Sequence, residues 1–161
     1  MRLIRRAWLD HLVIFFRDQR LTPAGLLAVA EAFGTPVEYP MIKGIPGYPT
    51  ITEVVKEAHE RSNFGGIWHS DTSYLERPSM GALLYALEVP ADGGDTLFAN
   101  QYRAYETLSG PLRRFLEGRM AVNSSAKAEV SKTREDMIRK DGDDSPRPEL
   151  AAEHPAVRTH P

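Results

Sequence analysis

The sequence contains no cysteine, which excludes disulfide bonds and thiolate metal sites and is typical of proteins in the reducing cytoplasm. It also has no apolar run near the about 18 residues that a membrane-spanning helix requires. The formal net charge is −2, so there is no broad basic surface for nucleic acid. We therefore expect a cytoplasmic protein that binds neither a membrane nor a nucleic acid.

The composition that is present is that of an ordinary globular protein: 161 residues, of which 42% are hydrophobic and 26% are charged. This length is sufficient for one domain with a core of its own. We therefore predict a single domain over residues 1–161. Within it, residues 127–153 are crowded with charge and lack apolar periodicity, which predicts an exposed, mobile insertion. That insertion is either a lid over the functional site or a solvated surface excursion.

Local patterns predict alternating helices and strands. Apolar spacing predicts a helix over residues 4–11, and Thr22-Pro23 predicts the start of a helix that runs to Phe33, with Gly34 in a left-handed terminal conformation. Further helices are expected over residues 101–108 and, capped by Ser109, over residues 111–116. Strands are predicted over residues 12–16, 51–56, 81–88, 96–100 and 120–122, with a hairpin turn at residues 92–95.

The stretch with the clearest chemistry is His69-x-Asp71, which follows Gly65-Gly66. In an extended segment over residues 67–74, positions i and i+2 point to the same face, so an imidazole and a carboxylate would lie side by side. They would supply two of the three ligands in a 2-His-1-carboxylate iron site. The alternative is a core histidine beside a surface aspartate.

Several blocks around this motif resemble the taurine dioxygenase / 2,4-dichlorophenoxyacetate dioxygenase family in their order and spacing. The blocks are Trp68-His69-Ser70-Asp71, Glu76-Arg77-Pro78, Leu84-Tyr85-Ala86, Gly93-Gly94-Asp95-Thr96-Leu97-Phe98-Ala99-Asn100 and Ala104-Tyr105-Glu106-Thr107-Leu108-Ser109. The resemblance implies a mostly β fold with flanking helices (α+β), a double-stranded β-helix or jelly roll. It also implies an Fe(II)- and 2-oxoglutarate-dependent dioxygenase that hydroxylates a small organic substrate with O2 and releases succinate and CO2.

The resemblance also implies roles for individual residues. His69 and Asp71 would bind iron, and the Thr96 hydroxyl would bind 2-oxoglutarate, unless Thr96 is an ordinary strand residue. The backbone of Thr72 would contact the substrate. Tyr74 would line the substrate pocket or serve as a core aromatic.

Two parts of the family pattern are absent from these 161 residues: the distal histidine that completes the iron site and the arginine that pairs with 2-oxoglutarate. The chain therefore resembles a truncated dioxygenase domain, with a jelly roll that is incomplete because its late strands are missing. His154 and His160 are candidate substitutes for the missing ligand, although in the family this segment leads into a later strand and is not a ligand.

Two positions argue against taurine as the substrate. Tyr39 and Gly65 stand where taurine dioxygenase has a histidine and an asparagine, so a different acidic or aromatic substrate is expected.

Two other functional classes remain open: a non-enzymatic module built on an incomplete β-helix, and a cupin-like metal protein. The Gly93-Gly94-Asp95-Thr96 block disfavours the cupin, which has no need of a 2-oxoglutarate contact. The sequence leaves open whether the protein forms a homo-oligomer.

Overall fold

A computed structural model of the chain describes residues 1–40, 42–57, 59, 65–127 and 149–160. Its elements, in chain order, are α1 (Arg2–His11), α2 (Pro23–Glu31), α3 (Gln101–Glu106), α4 (Gly110–Leu116), β1 (Met120–Ser124), a short 3-10 helix (Ser125–Lys127) and β2 (Ala151–Pro155). The chain divides into two compact units. Unit 1 comprises Met1–Val37 and Ala82–Phe115, and unit 2 comprises Glu38–Gly81 and Leu116–Pro161. Within the described residues, no helix has both the length and the apolar character needed to cross a bilayer.

The first two helices of unit 1 are held by local caps and one aromatic contact. The predicted amphipathic helix at the N-terminus is confirmed as α1. Its Trp8 meets Phe33 edge to face, with ring centroids 6.0 Å apart and planes at 89°, a favoured geometry for aromatic pairs. The predicted start of α2 is also confirmed, because the Thr22 hydroxyl accepts a hydrogen bond from the Gly25 N–H at 3.2 Å and Pro23 occupies the first turn.

The predicted end of α2 is wrong. The helix stops at Glu31, and Gly34 does not adopt a positive φ. The last turn tightens instead, because the Phe33 N–H bonds to the Ala30 carbonyl, three residues back, at 2.9 Å. Such i to i−3 bonds satisfy terminal carbonyls without a left-handed residue.

The two later helices also begin with side-chain caps. The Asn100 side chain accepts from the Arg103 N–H at 3.0 Å at the start of α3. The Ser109 hydroxyl accepts from the Leu112 N–H at 3.4 Å at the start of α4, as predicted. Gly118, with a φ of 67°, follows α4 in the left-handed conformation that favours glycine.

Four of the predicted strands are wrong. Residues 12–16, 51–56, 81–88 and 96–100 form no strand in the structure, and neither does the metal motif, whose residues 71–74 form a turn. A strand needs a ladder of hydrogen bonds to a neighbouring strand, and β1 and β2 form the one such ladder in the described part of the chain. The apolar side chains of these segments remain largely exposed, as at Leu84 (77%) and Leu97 (71%). Gly93 and Gly94 adopt positive φ values of 78° and 76°, but residues 93–95 are irregular, so the predicted hairpin turn is also wrong.

One side chain ties two of these irregular segments together within unit 1. The Tyr85 hydroxyl accepts from the Leu21 N–H at 3.1 Å and donates to the Gln19 carbonyl at 3.3 Å. The contact spans more than sixty residues of sequence. It fixes the segment that precedes α2 without any strand pairing.

The sheet of unit 2 consists of β1 and β2, which pair antiparallel from Met120↔Pro155 to Ser124↔Ala151. The predicted strand at residues 120–122 is confirmed and is two residues longer than expected. Ala152 of β2 is the one apolar side chain of the described residues that is less than a tenth exposed. The predicted insertion lies outside the described residues over 128–148, and its last residues, 151–153, belong to β2.

The described residues therefore contain both helices and strands, as an α+β class requires. Their β content is a single two-stranded sheet. The predicted jelly roll is not visible in them, because its sheets need several paired strands on each side of a core.

Candidate metal centre

The structure brings His69 and Asp71 together. His69 Nε2 lies 3.1 Å from Asp71 Oδ1, and both residues belong to unit 2. The extended segment expected over residues 67–74 is not formed: residue 67 lies in a bend, residues 68–70 are irregular, and residues 71–74 form a turn. Two-residue spacing still places both side chains on one side of the chain. Their role as metal ligands stays a prediction.

The hydrogen bonding of the imidazole suits a metal ligand. His69 Nδ1 lies 2.6 Å from the Ile67 carbonyl oxygen. A carbonyl only accepts, so Nδ1 carries the hydrogen, and Nε2 is the ring nitrogen that faces Asp71. Two acceptors at 3.1 Å repel each other unless a proton or a cation lies between them. Histidines that bind metals usually donate their other N–H in this way, which fixes the tautomer and the ring orientation.

Gly65 makes room for this ring. A Cβ atom at this position would lie 3.2 Å from Cε1 and 3.8 Å from Nε2 of His69, and the residue has a φ of +72°. Both facts favour glycine, since larger residues rarely adopt this φ and would press on the imidazole. The side chains of His69 and Asp71 are 43% and 64% exposed, so the pair is open to solvent.

No third ligand accompanies the pair in the part of the chain that the structure describes, where no three His, Asp or Glu side chains are grouped closely enough to hold a metal ion. The two candidate substitutes have other contacts. His154 Nε2 lies 2.8 Å from the Leu75 carbonyl, and His160 Nε2 lies 2.7 Å from the Met80 carbonyl. Each Nε2 therefore donates a hydrogen, which leaves Nδ1 as the ring nitrogen that could bind a metal. Neither histidine is grouped with the pair among the described residues.

Thr72 turns the chain directly after Asp71. It has a φ of 52° and is 7% exposed. Its hydroxyl accepts from the Ser79 N–H at 3.2 Å, and its carbonyl accepts from the Leu75 N–H at 2.9 Å. A β-branched residue with positive φ is uncommon, and such strain is often found at functional sites. The predicted contact between its backbone and a substrate stays a prediction.

Tyr74 places a shielded hydroxyl near the pair. Its oxygen is buried, and no hydrogen-bond partner meets it among the described residues. Burial is the main cause that raises the pKa of Tyr74 above its usual range, and the Tyr39 hydroxyl and the Asp71 carboxylate add to it. Tyr39 thus lies near enough to influence the phenol, although not in the geometry of a made hydrogen bond. Tyr74 is therefore a neutral hydroxyl that can donate to a ligand.

The remaining predicted site residue, Thr96, lies in unit 1, in an exposed segment without helix or strand. Its role stays a prediction.

The contact of His154 with Leu75 was not predicted from the sequence, because no local pattern indicates a contact between residues 79 positions apart. The proximity of Tyr39 to Tyr74 was not predicted either. Residues 151–155 have no alternating apolar pattern that would have placed His154 on a strand.

Comparison with known proteins gives a consistent result. The sequence profile described as "Taurine catabolism dioxygenase TauD, TfdA family" matches residues 1–161. An alkylsulfatase of Acinetobacter baylyi is 35% identical over 78% of this chain and 39% of its own length. An alpha-ketoglutarate-dependent sulfate ester dioxygenase of Pseudomonas putida is 31% identical over 98% of this chain and 53% of its own length.

A third relative is an (S)-phenoxypropionate/alpha-ketoglutarate-dioxygenase of Sphingobium herbicidovorans, which is 32% identical over 75% of this chain and 43% of its own length. The chain thus spans about half, or less, of the length of these curated relatives.

Proposed function

Since the chain belongs to the taurine catabolism dioxygenase (TauD, TfdA) family, we propose that it carries part of the active site of an Fe(II)- and 2-oxoglutarate-dependent dioxygenase. The observation that carries the proposal is the His69 imidazole. Its Nδ1–H is committed to the Ile67 carbonyl, and its Nε2 faces Asp71 Oδ1 at 3.1 Å. This arrangement holds a nitrogen and an oxygen ligand ready for one divalent cation.

In this proposal His69 Nε2 and the Asp71 carboxylate hold Fe(II). When bound, the iron supplies the oxidation chemistry, in which 2-oxoglutarate and O2 are converted to succinate and CO2 while a hydroxyl group is placed on the substrate. The chain contributes binding and orientation. Gly65 leaves space for the imidazole, and the Thr72 turn aims the carboxylate. Thr96 is proposed to bind 2-oxoglutarate through its hydroxyl.

The substrate proposed is a small organic molecule with an oxygen acceptor, such as a sulfate ester or an aryloxy acid. The relatives named above for such compounds support this class. The neutral Tyr74 hydroxyl, shielded and without a partner among the described residues, would donate to that acceptor, and Thr72 would contact the substrate through its backbone. Taurine is disfavoured, because Gly65 supplies no side-chain hydrogen bond.

The remaining expectations belong to the same proposal. Family membership supports a jelly roll for the complete fold and a cytoplasmic location, with neither nucleic acid nor membrane as a partner. The exposed apolar residues of segment 81–100 are compatible with a homo-oligomer.

The test is succinate formation from 2-oxoglutarate in the presence of Fe(II), ascorbate and O2, with a panel of sulfonates, sulfate esters, aryloxy acids and small carboxylic acids. This chain is compared with a version that includes any coding sequence downstream of Pro161. We expect substrate-coupled turnover from the longer version and none from residues 1–161, which show no third ligand in their described part. Equal turnover would mean that residues 1–161 contain every ligand. An absence of turnover from both would favour the non-enzymatic module.

A further inference from the structure

Two histidines near the C-terminal end of unit 2 donate hydrogen bonds to the segment that follows the His69–Asp71 pair. His154, on β2, donates to the Leu75 carbonyl at 2.8 Å across 79 residues of sequence. His160 donates to the Met80 carbonyl at 2.7 Å across 80 residues. Residues 72–80 are thereby tied at two points to the chain at and just beyond the β1–β2 ladder.

The first of these contacts acts on the turn that carries Asp71. The Leu75 N–H donates to the Thr72 carbonyl, which closes the turn, and the Ser79 N–H donates to the Thr72 hydroxyl. Leu75 is thus held at both of its backbone groups: Thr72 accepts from its N–H, and His154 donates to its carbonyl. Thr72 follows Asp71 directly, so the backbone direction at Asp71 depends on this turn.

The orientation of the Asp71 carboxylate depends on this turn. Its side chain is 64% exposed, so packing contributes little to its orientation. Its direction towards His69 must then come from the backbone. The strain of a positive φ at Thr72 persists only when surrounding contacts hold it in place, and the His154 bond is one of them.

We propose that His154 is a positioning residue of the metal centre: its Nε2–H fixes the Thr72–Leu75 turn and thereby holds the Asp71 carboxylate facing His69. The inference rests on the proposed function for its effect on metal binding. His160 is a second tie at the other end of the same segment. His154 acts here as a hydrogen-bond donor, and it is not grouped with His69 and Asp71 into a set of three ligands among the described residues.

The test uses the full chain with His154→Phe, which removes the donor but keeps a ring, and His154→Gln, which keeps an amide donor. His11→Phe changes an exposed histidine of unit 1 and serves as the matched control. Two quantities are measured: backbone amide exchange at Leu75 and Ser79 without metal, and the Co(II) dissociation constant under argon. Exchange in the β1–β2 ladder reports whether the fold is intact.

We expect His154→Phe to accelerate exchange at Leu75 and Ser79 while the ladder amides keep their protection. Co(II) affinity should fall by about tenfold, the lower end of the effect seen for groups that orient metal ligands. His154→Gln should restore both quantities towards the parent, and His11→Phe should change neither.

The inference is overturned if exchange at Leu75 is unchanged in His154→Phe, if the glutamine variant is as impaired as the phenylalanine variant, or if Co(II) affinity is retained while the turn loosens. A parent chain that binds no Co(II) would count against the proposed metal site itself. The exchange data would then decide alone whether His154 holds the turn.

Discussion

His69 Nε2 and Asp71 Oδ1 face each other at 3.1 Å, although the chain turns at Asp71 and is not a strand there. The juxtaposition depends on the imidazole being anchored at Ile67 and on the turn being closed by Thr72. The pair is therefore held by short-range backbone contacts on both sides. Substitutions at the pair and around it separate these contributions.

Removing either member of the pair should abolish metal binding. We expect the parent to bind Co(II) loosely and His69→Ala or Asp71→Ala to weaken that binding by more than about tenfold, or about 1.4 kcal/mol. Titration under argon measures the effect, and His11→Ala is the control. Tight stoichiometric binding that survives both substitutions would place the site elsewhere.

Gly65→Ala should weaken metal binding through the imidazole. The added methyl would lie 3.2 Å from His69 Cε1, and the residue would keep a φ of +72°. Gly47→Ala is the matched control, because it has a φ of +81° but no atom within 4 Å of its added Cβ. Both variants should lose about 1 kcal/mol of unfolding free energy, measured by urea denaturation. Only Gly65→Ala should lower Co(II) affinity, and equal affinities would show that the ring accommodates the methyl.

Thr72→Val should destabilise the protein more than Thr72→Ser. Valine keeps the β-branched shape but leaves the Ser79 N–H without its acceptor, whereas serine keeps the oxygen. Loss of this hydrogen bond should cost about 1 kcal/mol in the free energy of unfolding. Urea denaturation of the two variants gives the difference directly. A valine variant as stable as the serine variant would contradict a contribution from this hydrogen bond.

The pH dependence of stability should change in Tyr74→Phe. The folded state raises the pKa of Tyr74, mainly through burial, so the contribution of this group is fully present below the unfolded tyrosine pKa of about 10 and is lost as the pH rises above it. The parent should therefore lose more stability than the phenylalanine variant between about pH 9 and pH 11.

Urea denaturation at several pH values measures this difference. Tyr102→Phe, at a position that is 54% exposed, is the control. At neutral pH the Tyr74→Phe variant should be at least as stable as the parent, because it removes a buried hydroxyl that has no partner among the described residues. Parallel pH profiles for parent and Tyr74→Phe would contradict the burial of the phenol.

The charged stretch at residues 127–153 remains a prediction over 128–148, which lie outside the described residues. Its charge and lack of apolar periodicity predict that limited trypsin digestion cuts first at Lys132, Arg134, Arg139 or Lys140. Mass spectrometry of the early fragments identifies the sites. First cuts at Arg103 or Arg113, which lie in α3 and α4, would contradict this prediction.

Sequence reasoning succeeded where structure depends on near neighbours. The caps at Thr22 and Ser109 were predictable because a hydroxyl bonds an N–H three residues ahead. It failed at Gly34, because a helix can end in a tightened turn as well as in a left-handed residue. It failed at residues 81–88 and 96–100 because an apolar run does not reveal whether a partner strand is beside it.

The same distinction between local and long-range contacts applies to the candidate site. The histidine and the aspartate two residues apart, and the glycine that leaves space for the ring, are visible in the sequence. The contacts that hold the pair together, at Ile67 and in the Thr72 turn, are not. The contact from His154 to Leu75 joins residues 79 positions apart, and the approach of Tyr39 to Tyr74 likewise depends on how the chain folds back. No local sequence pattern predicts either of these two contacts.

The β1–β2 pairing continues beyond the strands, because the Ser125 N–H donates to the Leu150 carbonyl and the Leu150 N–H donates to the Ser125 hydroxyl. Ser125 and Leu150, on either side of residues 128–148, are thus joined by two hydrogen bonds. Doubling the length of a closed loop costs only about 0.6 kcal/mol. Because the ladder and these two bonds join residues 120–125 directly to residues 150–155, a longer chain between the two stretches should leave the ladder, and the bond from His154 to the Asp71 turn, in place.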